Sequence, residues 1–152
     1  MRSTITLLLV VYCFTQLQGQ DKNWNITLQH TTVVVSDFAK SEKFYKELLG
    51  LKEIPAPWLP EKQMFIQAGN NLEIHVGEVP GVEINPSNFN HFAMTVDDLD
   101  AFLAYLETNG IWYGSLGGGE KHHVTTRGDG VRQTFFQDPD GYWLEVNDFT
   151  RK

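Results

Sequence analysis

Apolar and polar positions alternate along two stretches of the chain, and the elements they predict come in the same order twice. Leu28–Val35 is rich in β-branched residues and reads as a strand. Val33 and Val35 fall on one side of it, and His30, Thr32, Val34 and Ser36 on the other. Ser36-Asp37 supplies a helix N-cap, and Asp37–Leu49 carries Phe38, Tyr45, Leu48 and Leu49 on an apolar stripe that Gly50 ends. Leu51–Ile54 predicts a short strand, and the proline-rich PAPWLPE (Pro55–Glu61) a loop. Gln63–Ala68 and Leu72–Val76 form a hairpin across Gly69-Asn70-Asn71. The order then returns with strand His91–Val96 and a helix capped by Asp98, with Leu99, Phe102, Leu103 and Leu106 inward and a stop at Gly110. Strand Ile111–Tyr113 follows, and Val131–Gln137 with Tyr142–Asn147 close the copy across the turn Asp138-Pro139-Asp140-Gly141. The glycine-rich stretch Gly114–Gly130 (GSLGGGEKHHVTTRGDG) reads as one long loop.

The repetition extends to residue identities. HTTVVVSDFAKSEKFY from His30 matches HFAMTVDDLDAFLAY from His91 at an offset of 61 residues (91 − 30). FIQAGNNLEIHV from Phe65 matches FFQDPDGYWLEV from Phe135 without a gap at an offset of 70 (135 − 65), so the second copy holds nine extra residues (70 − 61). The first match superposes His30 on His91, and the second superposes His75 on Glu145. In the second copy Phe92, Met94 and Val96 form a packing row opposite His91. Tyr142, Leu144 and Val146 likewise send Trp143 and Glu145 to the other side. A carboxylate between Leu144 and Val146 is costly unless a cation matches it. Imidazole and carboxylate at equivalent places in a duplicated unit predict one metal site at a pseudo-twofold axis, held by His30, His75, His91 and Glu145. Glu73 shares a face with His75 and competes for the fourth place. The repeat pairs Glu73 with Trp143 instead, which makes it a rim carboxylate, either a general base or simply solvated.

Composition narrows the setting. Met1–Gly19 has Arg2, an apolar core Ile5–Phe14 and a polar ending, the layout of a secretory signal peptide. Its apolar run is far short of the roughly 20 residues a membrane span needs. The expected divisions are a leader 1–19, an N-terminal segment 20–27, a first module 28–78, a linker 79–89 and a second module 90–149. Cys13, the one cysteine, falls in the leader, so the exported chain would be held by its core rather than by disulfides. Asn25-Ile26-Thr27 is a glycosylation sequon, with Asn25 the acceptor. The formal charge is −7 and there is no basic run, which argues against nucleic acid or an anionic membrane as partner.

Two βαβββ units containing HTTVVVSDFAKSEKFYKELLGL, HFAMTVDDLDAFLAYLETNGI and VRQTFFQDPDGYWLEV resemble the vicinal oxygen chelate superfamily of glyoxalase I, bleomycin-resistance proteins, fosfomycin-resistance enzymes and extradiol dioxygenases. The resemblance runs from Leu28 to Phe149. It implies an α+β fold in which two tandem modules curl their mixed sheets into a cup around one divalent metal ion, such as Zn, Ni, Co, Mn or Fe(II). It also implies a lyase or isomerase acting on a small substrate with vicinal oxygens, with Glu145 leaving the metal to serve as the base, as in glyoxalase I. His30, His91 and Glu145 alone would make the 2-His-1-carboxylate set of an extradiol dioxygenase. Bleomycin-resistance proteins bind a ligand without turnover, so a non-catalytic secreted binding or matrix protein is a third expectation. Arg127, Arg132, Trp58 and His122 are candidate substrate contacts, with ordinary surface positions as the alternative. Export and the lack of a cationic cluster argue against a methylglyoxal–glutathione adduct as substrate. The sequence leaves open whether the cup forms within one chain or by exchange of modules in a homodimer.

Overall fold

A computed structural model describes residues 27–150 other than Asn70; the expected leader and Asn25 lie outside the described residues. The elements are β1 (His30–Val35), α1 (Phe38–Lys43) continuing as a π-helical turn (Phe44–Leu48), β2 (Lys52–Ile54), β3 (Gln63–Gln67) and β4 (Glu73–Glu78). The second half holds β5 (His91–Thr95), α2 (Leu99–Thr108), β6 (Tyr113–Gly114), β7 (Thr125–Thr126), β8 (Arg132–Gln137) and β9 (Trp143–Asn147). They form two sheets, ordered β1-β4-β3-β2 and β5-β9-β8-β6, with β7 added on β8. In each sheet the first strand lies parallel to the last strand of its module, and the remaining pairs are antiparallel. The two halves are therefore one topology used twice.

Local chemistry sets the same boundaries in both copies. Asp37 accepts from the Lys40 amide at 3.1 Å and Asp98 from the Ala101 amide at 2.9 Å, so each helix starts on an aspartate cap. Gly50 and Gly110 follow the helices with φ of 66° and 69°, a conformation that a side chain would strain. Within the first helix the Leu49 amide reaches back five residues to the Phe44 carbonyl at 3.0 Å. That widened turn buries Phe44 and Tyr45 one after the other.

The core lies where the apolar faces of the two sheets meet their helices. Val33, Val35, Met64, Ile66, Ile74 and Val76 supply the first side, and Phe136, Leu144 and Val146 the second, all in one continuous cluster with Leu99, Leu103 and Leu106 of α2. The halves are joined directly: the Phe44 and Phe136 rings lie 6.3 Å apart, and the buried Tyr45 hydroxyl donates to Asp138 Oδ2 at 2.8 Å. The closing turn adds Asp140, which accepts from the Ser36 amide at 3.1 Å and the Ser41 hydroxyl at 3.4 Å. Burial pushes the Asp138 carboxyl above the usual carboxylate range and raises the Tyr45 phenol. The turn read as a hairpin connector is thus also the clasp between modules.

Two expectations change. The first strand starts at His30 rather than Leu28, which is left exposed and unpaired with β4. The 114–130 stretch is not one irregular loop. Thr125 and Thr126 pair with Gln133 and Arg132 across a turn closed by Gly130 N–H to the Arg127 carbonyl at 2.9 Å, and β6 sits at Tyr113–Gly114. Two adjacent threonines before a glycine-rich turn suit such a short ladder.

Tyr45→Phe removes a buried donor and leaves Asp138 Oδ2 without it. It should destabilise the fold by about 1–3 kcal/mol, read from chemical denaturation, while leaving the far-ultraviolet circular dichroism of the native state unchanged.

Candidate functional site

The parallel ladders place the candidate residues in equivalent positions. His30 stands opposite Glu73 and Thr32 opposite His75 across β1 and β4. His91 stands opposite Trp143 and Ala93 opposite Glu145 across β5 and β9. The register thus equates His30 with His91, Glu73 with Trp143, and His75 with Glu145, as the ungapped repeat does. Paired residues share a face, so these side chains lie on the surface of each sheet away from the apolar core. Phe65 of β3 and Phe135 of β8 occupy the middle of those faces, opposite His75 and Glu145 respectively.

His91 and Glu145 meet at 3.3 Å, Nε2 to Oε2. The His91 Nδ1 lies 3.0 Å from the Phe89 carbonyl, which can only accept, so Nδ1 carries a proton and Nε2 is the nitrogen that faces Glu145. Asn147 Nδ2 donates to Glu145 Oε1 at 2.7 Å, and the Phe149 amide donates to Asn147 Oδ1 at 3.1 Å, which fixes which way that amide faces. A carboxylate only 7% exposed therefore has one oxygen held by the Asn147 amide and the other beside the His91 Nε2. Such a pair needs a shared cation, either a proton or a metal. At 3.3 Å the imidazole nitrogen and the carboxylate oxygen are close enough together that both would hold one divalent ion. The donor set fits a divalent ion of borderline hardness.

The first half is built alike but is not identical. His30 Nδ1 bonds the Gln29 side-chain oxygen, leaving Nε2 outward. Its ring stands edge-on to Phe65 at 5.8 Å, as His91 stands to Phe135 at 5.3 Å. His75 stacks on Phe65 at 4.5 Å, 6.4 Å from the His30 ring, and its Nε2 lies 3.0 Å from Gln63 Oε1. Burial, then the nearby His30, lowers the His75 pKa and keeps that imidazole neutral. Gln63 thus holds the His75 nitrogen that a metal would otherwise take, whereas Glu73 on the same face is half-buried and has no such competitor among the described residues.

The single chain does not gather the four expected ligands. His30 with His75 forms one pair and His91 with Glu145 another. Among the described residues no group of three His, Cys, Asp or Glu side chains converges. The reason is the shared core: the modules meet on their apolar faces, so the histidine faces are turned away from that junction. Of the substrate contacts, Arg132 is corrected. It alternates with Thr134 and Phe136 onto the core side and is gripped in bidentate fashion by Asp100 of α2 at 2.5 and 3.1 Å, which holds that carboxyl below its usual range. Arg127 is bound by Asp129 at 2.7 Å at the tip of the β7–β8 turn. His122 stacks on Tyr113 at 4.7 Å beside Glu107, on the helix side, again away from the paired histidines. Trp58 is 74% exposed in its loop. Sequence reasoning missed Gln63 and Asn147. The repeat QMFIQ/QTFFQ marks the first, and the i+2 spacing from Glu145 marks the second.

The profile of the Glyoxalase/Bleomycin resistance protein/Dioxygenase superfamily matches residues 27–146. The chain is 29% identical to lactoylglutathione lyase of Schizosaccharomyces pombe, over 78% of its own length but only 46% of that protein, so it spans less than half of that relative. It is 30% identical to metallothiol transferase FosB of Shouchella clausii, covering 79% of this chain and 78% of the other. Among solved structures, oxidase ChaP-H1 is 27% identical with a TM-score of 0.67, covering 82% of this chain and 97% of that one.

Asn147→Ala should release Glu145 Oε1 and lower Co(II) affinity by about ten- to a hundredfold, measured by competition with a chromophoric chelator. Unchanged affinity would leave Asn147 a purely structural residue.

Proposed function

We propose that this chain, which belongs to the Glyoxalase/Bleomycin resistance protein/Dioxygenase superfamily, is an exported, divalent-metal-dependent lyase or isomerase acting on a small molecule with two adjacent oxygens. One observation carries the proposal: the close His91–Glu145 pair occupies the register positions that His30 and His75 fill in the first module, so both halves offer metal-ligand side chains at equivalent places. Superfamily members commonly use divalent metals, and the lactoylglutathione lyase and metallothiol transferase relatives are consistent with such chemistry. Export is supported by the leader-like Met1–Gly19 segment and the sequon at Asn25.

His30, His91 and Glu145 would hold the ion, with His75 or Glu73 as the fourth contact. When bound, the ion would supply Lewis-acid polarisation of the two substrate oxygens. The chain's own residues do the rest. Asn147 anchors Oε1 of Glu145, so Oε2 is the atom that would take and return a proton. The Phe89 carbonyl and Gln29 hold the His91 and His30 rings through Nδ1 and leave each Nε2 available to a ligand. Phe65 and Phe135 stand edge-on beside them as apolar flanks.

Because one chain turns its two pairs apart, the working site would combine the His30 module of one chain with the His91 module of a second. Because Gln63 occupies His75, a His30–His91–Glu145 triad is also left available, which favours an iron(II) dioxygenase of the extradiol type as the second reading. Oxygen uptake that depends strictly on Fe(II) would select that reading.

The two-chain site is tested by complementation. His30→Ala and His91→Ala proteins should each lose metal. Unfolded, mixed and refolded together, they should recover about a quarter of the parental metal content, since half the dimers are mixed and each of those rebuilds one intact site. No recovery would place the site within one chain. Full metal content in both single variants would remove His30 and His91 from the metal site.

A further inference from the structure

The two histidine faces carry a repeated polar and aromatic pattern that the metal proposal does not use. Gln63, Phe65 and Gln67 alternate along β3, and Gln133, Phe135 and Gln137 along β8, at equivalent places in register. Carboxamides both donate and accept, as hydroxyl and carbonyl oxygens require, and bring no charge. Aromatic walls surround the candidate ligands. Phe65 stacks on His75, Phe135 stands edge-on to His91, and Trp143, opposite His91 in the ladder, is braced by Trp112 at 6.0 Å.

Among the described residues, positive charge is nearly missing from these faces. Among the described residues, Arg127 and Arg132 are tied to aspartates, and Lys46 and Lys62 to glutamates. Lys40 and Lys43 ride on α1, and Lys121 lies in the glycine-rich loop. Lys52 is the exception. It pairs with Gln67 and so shares the face, but on the outermost strand, three strand spacings or roughly 14 Å from His30. The carboxylates there are Glu73 and Glu145, and the whole chain carries a formal charge of −7. An anionic group entering this space would lose its water, meet an unfavourable field and find no fixed cation beside the metal position.

We propose that the site selects an uncharged, flat vicinal-oxygen compound and rejects anionic ones. The proposal rests on the reading that the two faces form one site, and it makes a carboxylate-bearing thiol conjugate an unsuitable substrate. The test is calorimetry at neutral pH on the exported chain, both Co(II)-loaded and metal-free, with two matched probes. These are 4-methylcatechol and 3,4-dihydroxybenzoate, which differ in one carboxylate.

The uncharged probe should bind at least about tenfold tighter than the anion. Gln133→Lys should narrow that ratio at least threefold, roughly the effect of one added exposed charge, and Lys52→Ala should leave it unchanged. Equal or tighter binding of the benzoate, its selective loss on Lys52→Ala, or no binding of 4-methylcatechol would overturn the proposal. Metal analysis of the same samples separates the two readings. A preference for the uncharged probe on protein that takes up no metal keeps this inference and removes the metal-dependent function. A preference for the anion on metal-loaded protein does the reverse.

Discussion

Everything at the candidate site depends on the register of two parallel strand pairs, β1 with β4 and β5 with β9. Side chains alternate along a strand, so a slip of one residue would carry His30, His75, His91 and Glu145 into the core and push Val33, Ile74, Val146 and their neighbours into water. The buried valines, isoleucines and leucines make that exchange prohibitive. Packing energy on one face is therefore what holds the chemistry on the other. The same constraint explains why His75, and not Glu73, is the counterpart of Glu145.

The strands, the helix caps and this equivalence could be read from the sequence because each is local: alternation, Asp37 and Asp98 before their helices, and an ungapped repeat. Arg132 shows a signal present but unused. It alternates with Thr134 and Phe136, which already assigns it to the core side, where Asp100 waits. His122 offered no comparable clue, since its left-handed backbone and its stacking on Tyr113 depend on how the loop closes over α2. The grip of Gln63 on His75 and of Asn147 on Glu145 is invisible to periodicity, because it lies in side-chain rotamers within a face.

The separation of the two half-sites follows from what the apolar faces do. A module of this size covers only part of its hydrophobic surface with its own helix. Here Phe44 from the first module's helix settles on Phe136 of the second sheet, and the remainder of both surfaces closes into one core. Once that junction is used for burial, the paired histidines face outward on either side, and residues far apart in space come to share one ancestral role. Family membership and physical layout are thus compatible without the ligands meeting in one chain.

The fastening of Tyr45 to Asp138 spans 93 positions of sequence. During synthesis the first half leaves the ribosome with its phenol and the neighbouring Phe44 uncovered, and both must wait for Phe136 and the Asp138 turn of the second half before they are sheltered. A chain interrupted before that turn would present a sticky, half-closed interior to chaperones and proteases. Shelter for the first module's helix is thereby tied to formation of the β8–β9 hairpin.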